Sequence, residues 1–203
     1  MTIRFHKGDL PDDANFGDCA AIDTETLGLV PQRDRLCVVQ LSRGNGSADI
    51  VQIGPGQTRA KNIEKILADP KITKLFHFAR FDVAILFKTF GVLAAPIYCT
   101  KIASKLVRTY TDRHSLKDLT RELLGVELSK QQQSSDWGIE TLSEAQLSYA
   151  ASDVLYLHAL RERLDAMLKR EGRMEIAAAC FDFLPTRARL DLLGWAEEDI
   201  FAH

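Results

Sequence analysis

Asp23 with Glu25, then Asp82, then Tyr149 with Asp153 are spaced along the chain like the parts of one acidic centre. The first two lie in Ala20-Ala21-Ile22-Asp23-Thr24-Glu25-Thr26-Leu27-Gly28, where small and apolar residues lead into D-x-E and a glycine follows. On a strand, residues two apart share a face, so these carboxylates would stand together at the strand's end. Tyr149 and Asp153 lie in a long helical pattern, four apart and therefore one turn apart on one face. Asp82 follows a short apolar run and opens a helical one. Four carboxylates gathered in one place repel one another and rise in pKa unless cations hold them. Such a cluster calls for two hard, oxygen-seeking divalent ions, Mg²⁺ or Mn²⁺. No Cys or His stands near these motifs at the spacing zinc requires. Singly, each piece has a plainer reading: Asp82 as a helix-terminus carboxylate, Tyr149 as a half-buried core aromatic. With 28 acidic residues in the chain, only their joint occurrence carries weight.

The elements that must position these residues are legible in outline. Residues 20–24, 36–42 and 48–53 read as three strands forming an antiparallel meander, with Gly28-Leu29-Val30-Pro31 and Arg43-Gly44-Asn45-Gly46 as turns. A helix is expected over 61–68, a buried strand over 72–78, a helix over 81–90 closed by Gly91, and a short strand over 95–99. Strand-helix-strand alternation implies a parallel portion. Helices follow at about 100–108 and 115–124, then one long helix from Ser143 to about Arg170, with Thr141-Leu142-Ser143-Glu144 as its capping box. The polar stretch 125–140, which includes Lys130, reads as a loop near the site. The tail 174–203 is helical and carries Phe181, Phe183, Leu184, Leu192, Leu193 and Trp195. It either packs back on the domain or forms a subunit interface.

The whole chain, 1–203, reads as a single α/β domain. With 46% hydrophobic and 27% charged residues it can build a full core. Neither a signal peptide nor a membrane span is visible, so a cytoplasmic location is expected. Cys19, Cys37, Cys99 and Cys180 are scattered and suit reduced, buried thiols. The net charge of -2 argues against binding long nucleic acid, which draws its affinity from many Lys and Arg contacts to phosphate. A local excess of four positive charges does occur over 101–121, where Lys101, Lys105, Arg108, Arg113, Lys117 and Arg121 face only Asp112 and Asp118. That segment is either a solvated helix face or a surface guiding RNA. From Asp191 to His203 there are four acids and no Lys or Arg.

D-x-E, then H-x4-D with an aromatic before the Asp, then Y-x3-D resemble, in this order and at these separations, the DEDD 3′-to-5′ exonucleases of the RNase H-like fold. Tyr149 stands four before Asp153, and Ser148 occupies the place five before it where the DEDDh subclass has His, so the resemblance is to DEDDy enzymes. Gln133-Ser134-Ser135-Asp136-Trp137 is similar to the S-D-W stretch of the ribonuclease D branch, and the likeness spans about 18–165. Phe78 after His77 departs from that family, which usually has a small residue or Asn there. Ribonuclease D proper also carries helical RNA-binding domains after its catalytic one, whereas about fifty residues follow Asp153 here. A short DEDDy chain of this kind resembles the nanoRNase C group, which degrades very short RNA down to dinucleotides.

The resemblance implies an RNase H-like mixed sheet flanked by helices, with a helical C-terminal part. It implies two metals held by Asp23, Glu25, Asp82 and Asp153, with Asp23 bridging. Metal coordination would generate the hydroxide, and Tyr149, mostly neutral near pH 7, would orient the attacking water. The expected product is a nucleoside 5′-monophosphate. Leu27 resembles a residue that wedges between terminal bases, with core packing as the equal alternative. The amides of Thr24 and Thr26 would grip the terminal sugar and phosphate. His77 is either a core histidine or a phosphate contact, Phe78 a core residue or a stacking platform, and His114 a candidate for the 5′-phosphate. The implied partners are short single-stranded RNA and further copies of the chain, with a homo-octameric ring among the assemblies. The rivals are a ribonuclease D-like trimmer of structured RNA ends, a DNA exonuclease, and a non-catalytic RNA-binding module.

Overall fold

A computed structural model describes residues 1–129 and 131–202, so Lys130 in the expected loop and His203 at the chain's end lie outside it. Six strands form one mixed sheet: β1 (Thr2–Lys7), β2 (Cys19–Thr26), β3 (Leu36–Ser42), β4 (Ser47–Gln52), β5 (Thr73–Phe76) and β6 (Ile97–Cys99), in the order β1-β4-β3-β2-β5-β6. The meander over β2, β3 and β4 is antiparallel as expected. β5 pairs with β2, and β6 with β5, in parallel. β3, Leu-Cys-Val-Val-Gln-Leu-Ser, is buried along its whole length, as a strand covered on both faces must be. The turn into β4 needs glycine twice over. Gly44 has φ 78°, and a Cβ there would lie 2.8 Å from the His158 ring.

The sequence reading missed β1. It runs parallel to β4, and mostly exposed side chains made it look like an unstructured start. Arg4 donates to Asp49 at 2.7 and 2.6 Å, and His6 Nε2 lies 2.8 Å from the same carboxylate. These contacts join the backbone pairing with β4 in holding the edge strand.

Seven α-helices flank the described sheet: α1 (Lys61–Ala68), α2 (Ala79–Phe90), α3 (Thr100–Val107), α4 (Leu116–Leu119), α5 (Glu144–Leu155), α6 (Leu157–Arg170) and α7 (Met174–Leu190). α4 continues into a wider π turn over Thr120–Leu124. The expected long helix is two, broken at Tyr156, which has φ -103° and ψ -4°. Its capping box also differs from the expected one: the Ser143 side chain accepts from the Gln146 amide, and the Gln146 side chain answers to the Ser143 amide. α5 lies across β2, β3 and β4, whereas α2 packs on α7 and touches β5 and β6.

The tail packs back on the domain. Phe181 and Leu184 are buried, and the Phe181 ring lies 4.6 Å from that of Tyr98. Buried Asp191 receives Arg80 at 2.6 and 2.8 Å and Arg187 at 2.9 and 2.7 Å. Phe183, Leu193 and Trp195 remain exposed. Asp191→Ala strips two guanidinium groups of their shared partner, and we expect it to destabilise the fold by about 3 kcal/mol. A lower urea midpoint at unchanged slope checks this.

The basic segment is of mixed character. Arg108 is fully buried and pairs with Glu122, and Arg121 pairs with Asp118 at 3.0 Å. Both are structural, which leaves Lys101 and Lys117 to face the groove described next. The four cysteines are free thiols; Cys180 is half-buried rather than buried.

Candidate active site

The central strand presents its two carboxylates as the D-x-E spacing requires. Asp23 and Glu25 share one face of β2, and the register with β3 shifts between Glu25 and Thr26, a bulge at the strand's end. α5 crosses that face and brings Asp153, so that carboxylate oxygens of Asp23, Glu25 and Asp153 all lie within 4.8 Å of one another. Asp82, in the first turn of α2, is 3% exposed and accepts a hydrogen bond from the Thr24 hydroxyl at 2.6 Å. Because Thr24 points to the opposite face from its neighbours, Asp82 approaches from the other side of the strand end. The arrangement is three carboxylates in a tight group and a fourth beside it.

Burial raises all four, and repulsion from neighbouring carboxylates adds to it for Asp23, Glu25 and Asp153. Asp23 is held well above the usual range, by burial first and then by Asp82, Asp153 and Glu25. Glu25 is pushed up to about 9 by burial, then by Asp153 and Asp82. Burial carries Asp82 and Asp153 to about 7; hydrogen bonds from Thr24 and Tyr149 respectively oppose it. Four anions cannot coexist here without cations, and the donors are all carboxylate oxygens, the set that Mg²⁺ and Mn²⁺ take. The residues fit a divalent metal site. Tyr149 bonds Asp153, and burial together with Asp153 pushes its hydroxyl above the ordinary tyrosine value, so it is a neutral donor at pH 7.

These groups line a cleft of about 440 Å³ together with Thr24, Thr26, His77, Phe78, Phe81, Lys101, Lys117, Leu29 and Gln133. A larger hollow of about 540 Å³ between α3, α7 and the tail shares Phe78 and Lys101 with it but contains none of the carboxylates. The four carboxylates therefore mark the smaller cleft as the candidate site.

The expected substrate contacts fare unevenly. Phe78 is not core: it stands 48% exposed in the turn from β5 to α2, with the Lys101 ammonium 4.3 Å from its ring centroid. His77 reaches the cleft, but its Nδ1 hydrogen-bonds Thr100 at 2.9 Å and burial lowers its pKa to about 3. It is uncharged, so it offers a phosphate a hydrogen bond and no cation. Leu27 is absent from the lining. It is 54% exposed and lies against Gly138, where a Cβ would come within 2.7 Å of it. Beyond the register shift the chain leaves the sheet, and the Leu27 amide pairs with the Arg35 carbonyl. Leu29 takes the place at the cleft. His114 is also outside the lining, its Nδ1 held 2.8 Å from the Ser104 hydroxyl. The Thr26 hydroxyl donates to the Gly28 carbonyl, which stiffens the strand's end. Lys101, Lys117, Phe81 and Gln133 were not foreseen as site residues, although the two lysines stood out in the basic segment.

The chain is similar to known proteins of one family. A family of 3′-5′ exonucleases matches residues 10–169. The ribonuclease D of Acidiphilium cryptum is 36% identical over 157 residues, 77% of this chain but 40% of its own length. The chain thus spans less than half of that curated relative. Brucella melitensis NrnC, solved with bound Mg²⁺, is 62% identical with a TM-score of 0.97, covering all of both chains. The same protein bound to pGG is 63% identical, with TM-score 0.97, 100% of this chain and 99% of that one. Escherichia coli RNase D is 26% identical with a TM-score of 0.75, over 85% of this chain and 45% of that. The chain belongs to the 3′-5′ exonuclease family, in its ribonuclease D-like branch.

Proposed function

We propose that the chain is a 3′-to-5′ exoribonuclease, dependent on two divalent metal ions, that hydrolyses very short RNA down to dinucleotides and releases nucleoside 5′-monophosphates. The observation that carries this is the carboxylate cluster with Tyr149 at the mouth of a small cleft that has few positive charges. Likeness along the full chain to a protein solved with pGG, the notation for two guanosines with a 5′ phosphate, supports the short substrate.

Asp23 would contact both ions, Glu25 and Asp153 one of them, and Asp82 the other. When bound, Mg²⁺ or Mn²⁺ supplies the charge that activates water and stabilises the departing 3′ oxygen. Tyr149, neutral at pH 7 and donating to Asp153, would orient the attacking water through its hydroxyl oxygen rather than deprotonate it. Phe78 offers a face for a base. Lys101 and Lys117 meet phosphates at the rim. Thr24 and Thr26 hold the strand end against the terminal sugar. Residues 1–203 act as one domain, and copies associate through the exposed apolar side of the tail, as a homo-octameric ring or a smaller homo-oligomer, which light scattering would size. None of the described helices is long and apolar enough to cross a membrane, and we place the enzyme in the cytoplasm.

End-labelled RNAs of graded length, with matching DNAs, test the substrate in Mg²⁺ and in Mn²⁺. Faster loss of the dinucleotide supports the proposal. Equal or faster loss of long structured RNA would favour the trimming that ribonuclease D similarity offers as the alternative, and equal loss of DNA would remove the sugar preference. Tyr149→Phe should lower kcat on the preferred substrate about 10²-fold while leaving KM nearly unchanged, the signature of a group acting on the water.

A further inference from the structure

Gln40 lies in the middle of β3, fully buried, and neither its Nε2 nor its Oε1 has a hydrogen-bond partner among the described residues. Buried amides are rarely left so, because the lost hydration is not replaced. Its place makes the exception informative. In the β2–β3 register Gln40 is directly opposite Asp23. Directly opposed residues on antiparallel strands project to the same face, with Cβ atoms about 4.5–5.5 Å apart. The Gln40 side chain therefore shares the sheet face of Asp23 and Glu25, beneath α5, which lies against both strands. The remaining residues of β3 are apolar apart from terminal Ser42, whose hydroxyl donates to the Ser47 carbonyl at 2.7 Å. Asp23, for its part, is bonded by the Thr24 amide and by no side-chain donor among the described residues.

We propose that Gln40 is a positioning residue for the metal site: its amide donates a hydrogen bond to the Asp23 carboxylate, directly or through one trapped water, when cations occupy the cluster. Ligating carboxylates are generally held by such outer hydrogen bonds, which fix their orientation. A buried water bridging otherwise unpaired polar groups is equally ordinary. Metal binding would then fix the partner of this amide. An apolar side chain of the same length would pack better without metal and hold the metal less well.

This inference rests on the metal-site assignment above, and its test needs no RNA. Gln40→Met keeps the length of the side chain and removes the amide. Melting curves in chelator and across a Mg²⁺ titration give the metal-free stability and the Mg²⁺ midpoint for each protein. We expect the variant to melt at or above the unaltered protein in chelator, and its Mg²⁺ midpoint to rise roughly ten- to a hundred-fold. A midpoint unchanged within about two-fold, whether the metal-free melting point moves or not, overturns the proposal, since an ordinary core role affects folding alone. If Gln40→Met does not fold, Gln40→Asn keeps an amide but withdraws it by one methylene. A raised midpoint there supports the assignment and an unchanged one rejects it. Failure of the unaltered protein to bind Mg²⁺ would overturn the metal site and this inference together, whereas normal binding in both proteins would remove Gln40 alone.

Discussion

Asp23→Ala is expected to lower Mg²⁺-dependent hydrolysis of a short RNA by at least about 10³-fold, because the side chain lost is the one proposed to hold both ions. Its effect on stability should have the opposite sign. Asp23 sits with Glu25 and Asp153 inside 4.8 Å and is disfavoured as an anion by burial and by Asp82. Removing it relieves repulsion, so the metal-free variant should melt at or above the temperature of the parent. Loss of activity with retained or raised stability separates a missing ligand from an unfolded protein. Undiminished hydrolysis by Asp23→Ala would end the whole site assignment.

Metal removal and pH should act as one variable. In an unfolded chain, Asp and Glu titrate near 4. In the metal-free fold Asp82 and Asp153 titrate at about 7 and Glu25 at about 9. Between these limits the folded protein holds protons that the unfolded chain has released, so raising the pH favours unfolding. The penalty begins above about pH 4 and is complete above about pH 9. In chelator, the melting temperature should therefore fall from pH 6 to pH 9. Saturating Mg²⁺ should cancel most of the fall, since cations replace the protons, and the apparent Mg²⁺ affinity should rise with pH over the same window. A metal-free melting temperature that is flat or rising there would contradict the mutual burial of these carboxylates.

What the sequence disclosed followed from how local each signal is. Asp23 and Glu25 on a strand, and Tyr149 and Asp153 on a helix, obey periods of two and four that any register preserves, so their grouping was legible. The helix break at Tyr156 was not, because apolar residues continue through it and no Gly or Pro marks it. β1 escaped because its partner is a parallel strand forty-five positions away, and what joins them is Arg4 and His6 on Asp49, a pairing that no local pattern reveals. Phe78 looked like core in an apolar run; only the turn between β5 and α2 swings it into the cleft. Leu27 and Leu29 are indistinguishable in the linear chain. The turn after the register shift puts Leu29, and not Leu27, in the cleft lining. Gln40 gave no sign at all, since a lone Gln in an apolar strand acquires meaning only when its opposite number is known.

The order of the strands bears on when the enzyme can become active during its own synthesis. Asp23 is on the second strand and Asp153 on the fifth helix, so the two sides of one carboxylate cluster emerge from the ribosome 130 residues apart. Contacts so distant in sequence form late, after the loop-closure entropy between them has been met. A nascent chain holding only the meander would carry Asp23 and Glu25 with nothing opposite. The acidic centre is thus incomplete until α5 has left the ribosome and docked on β2.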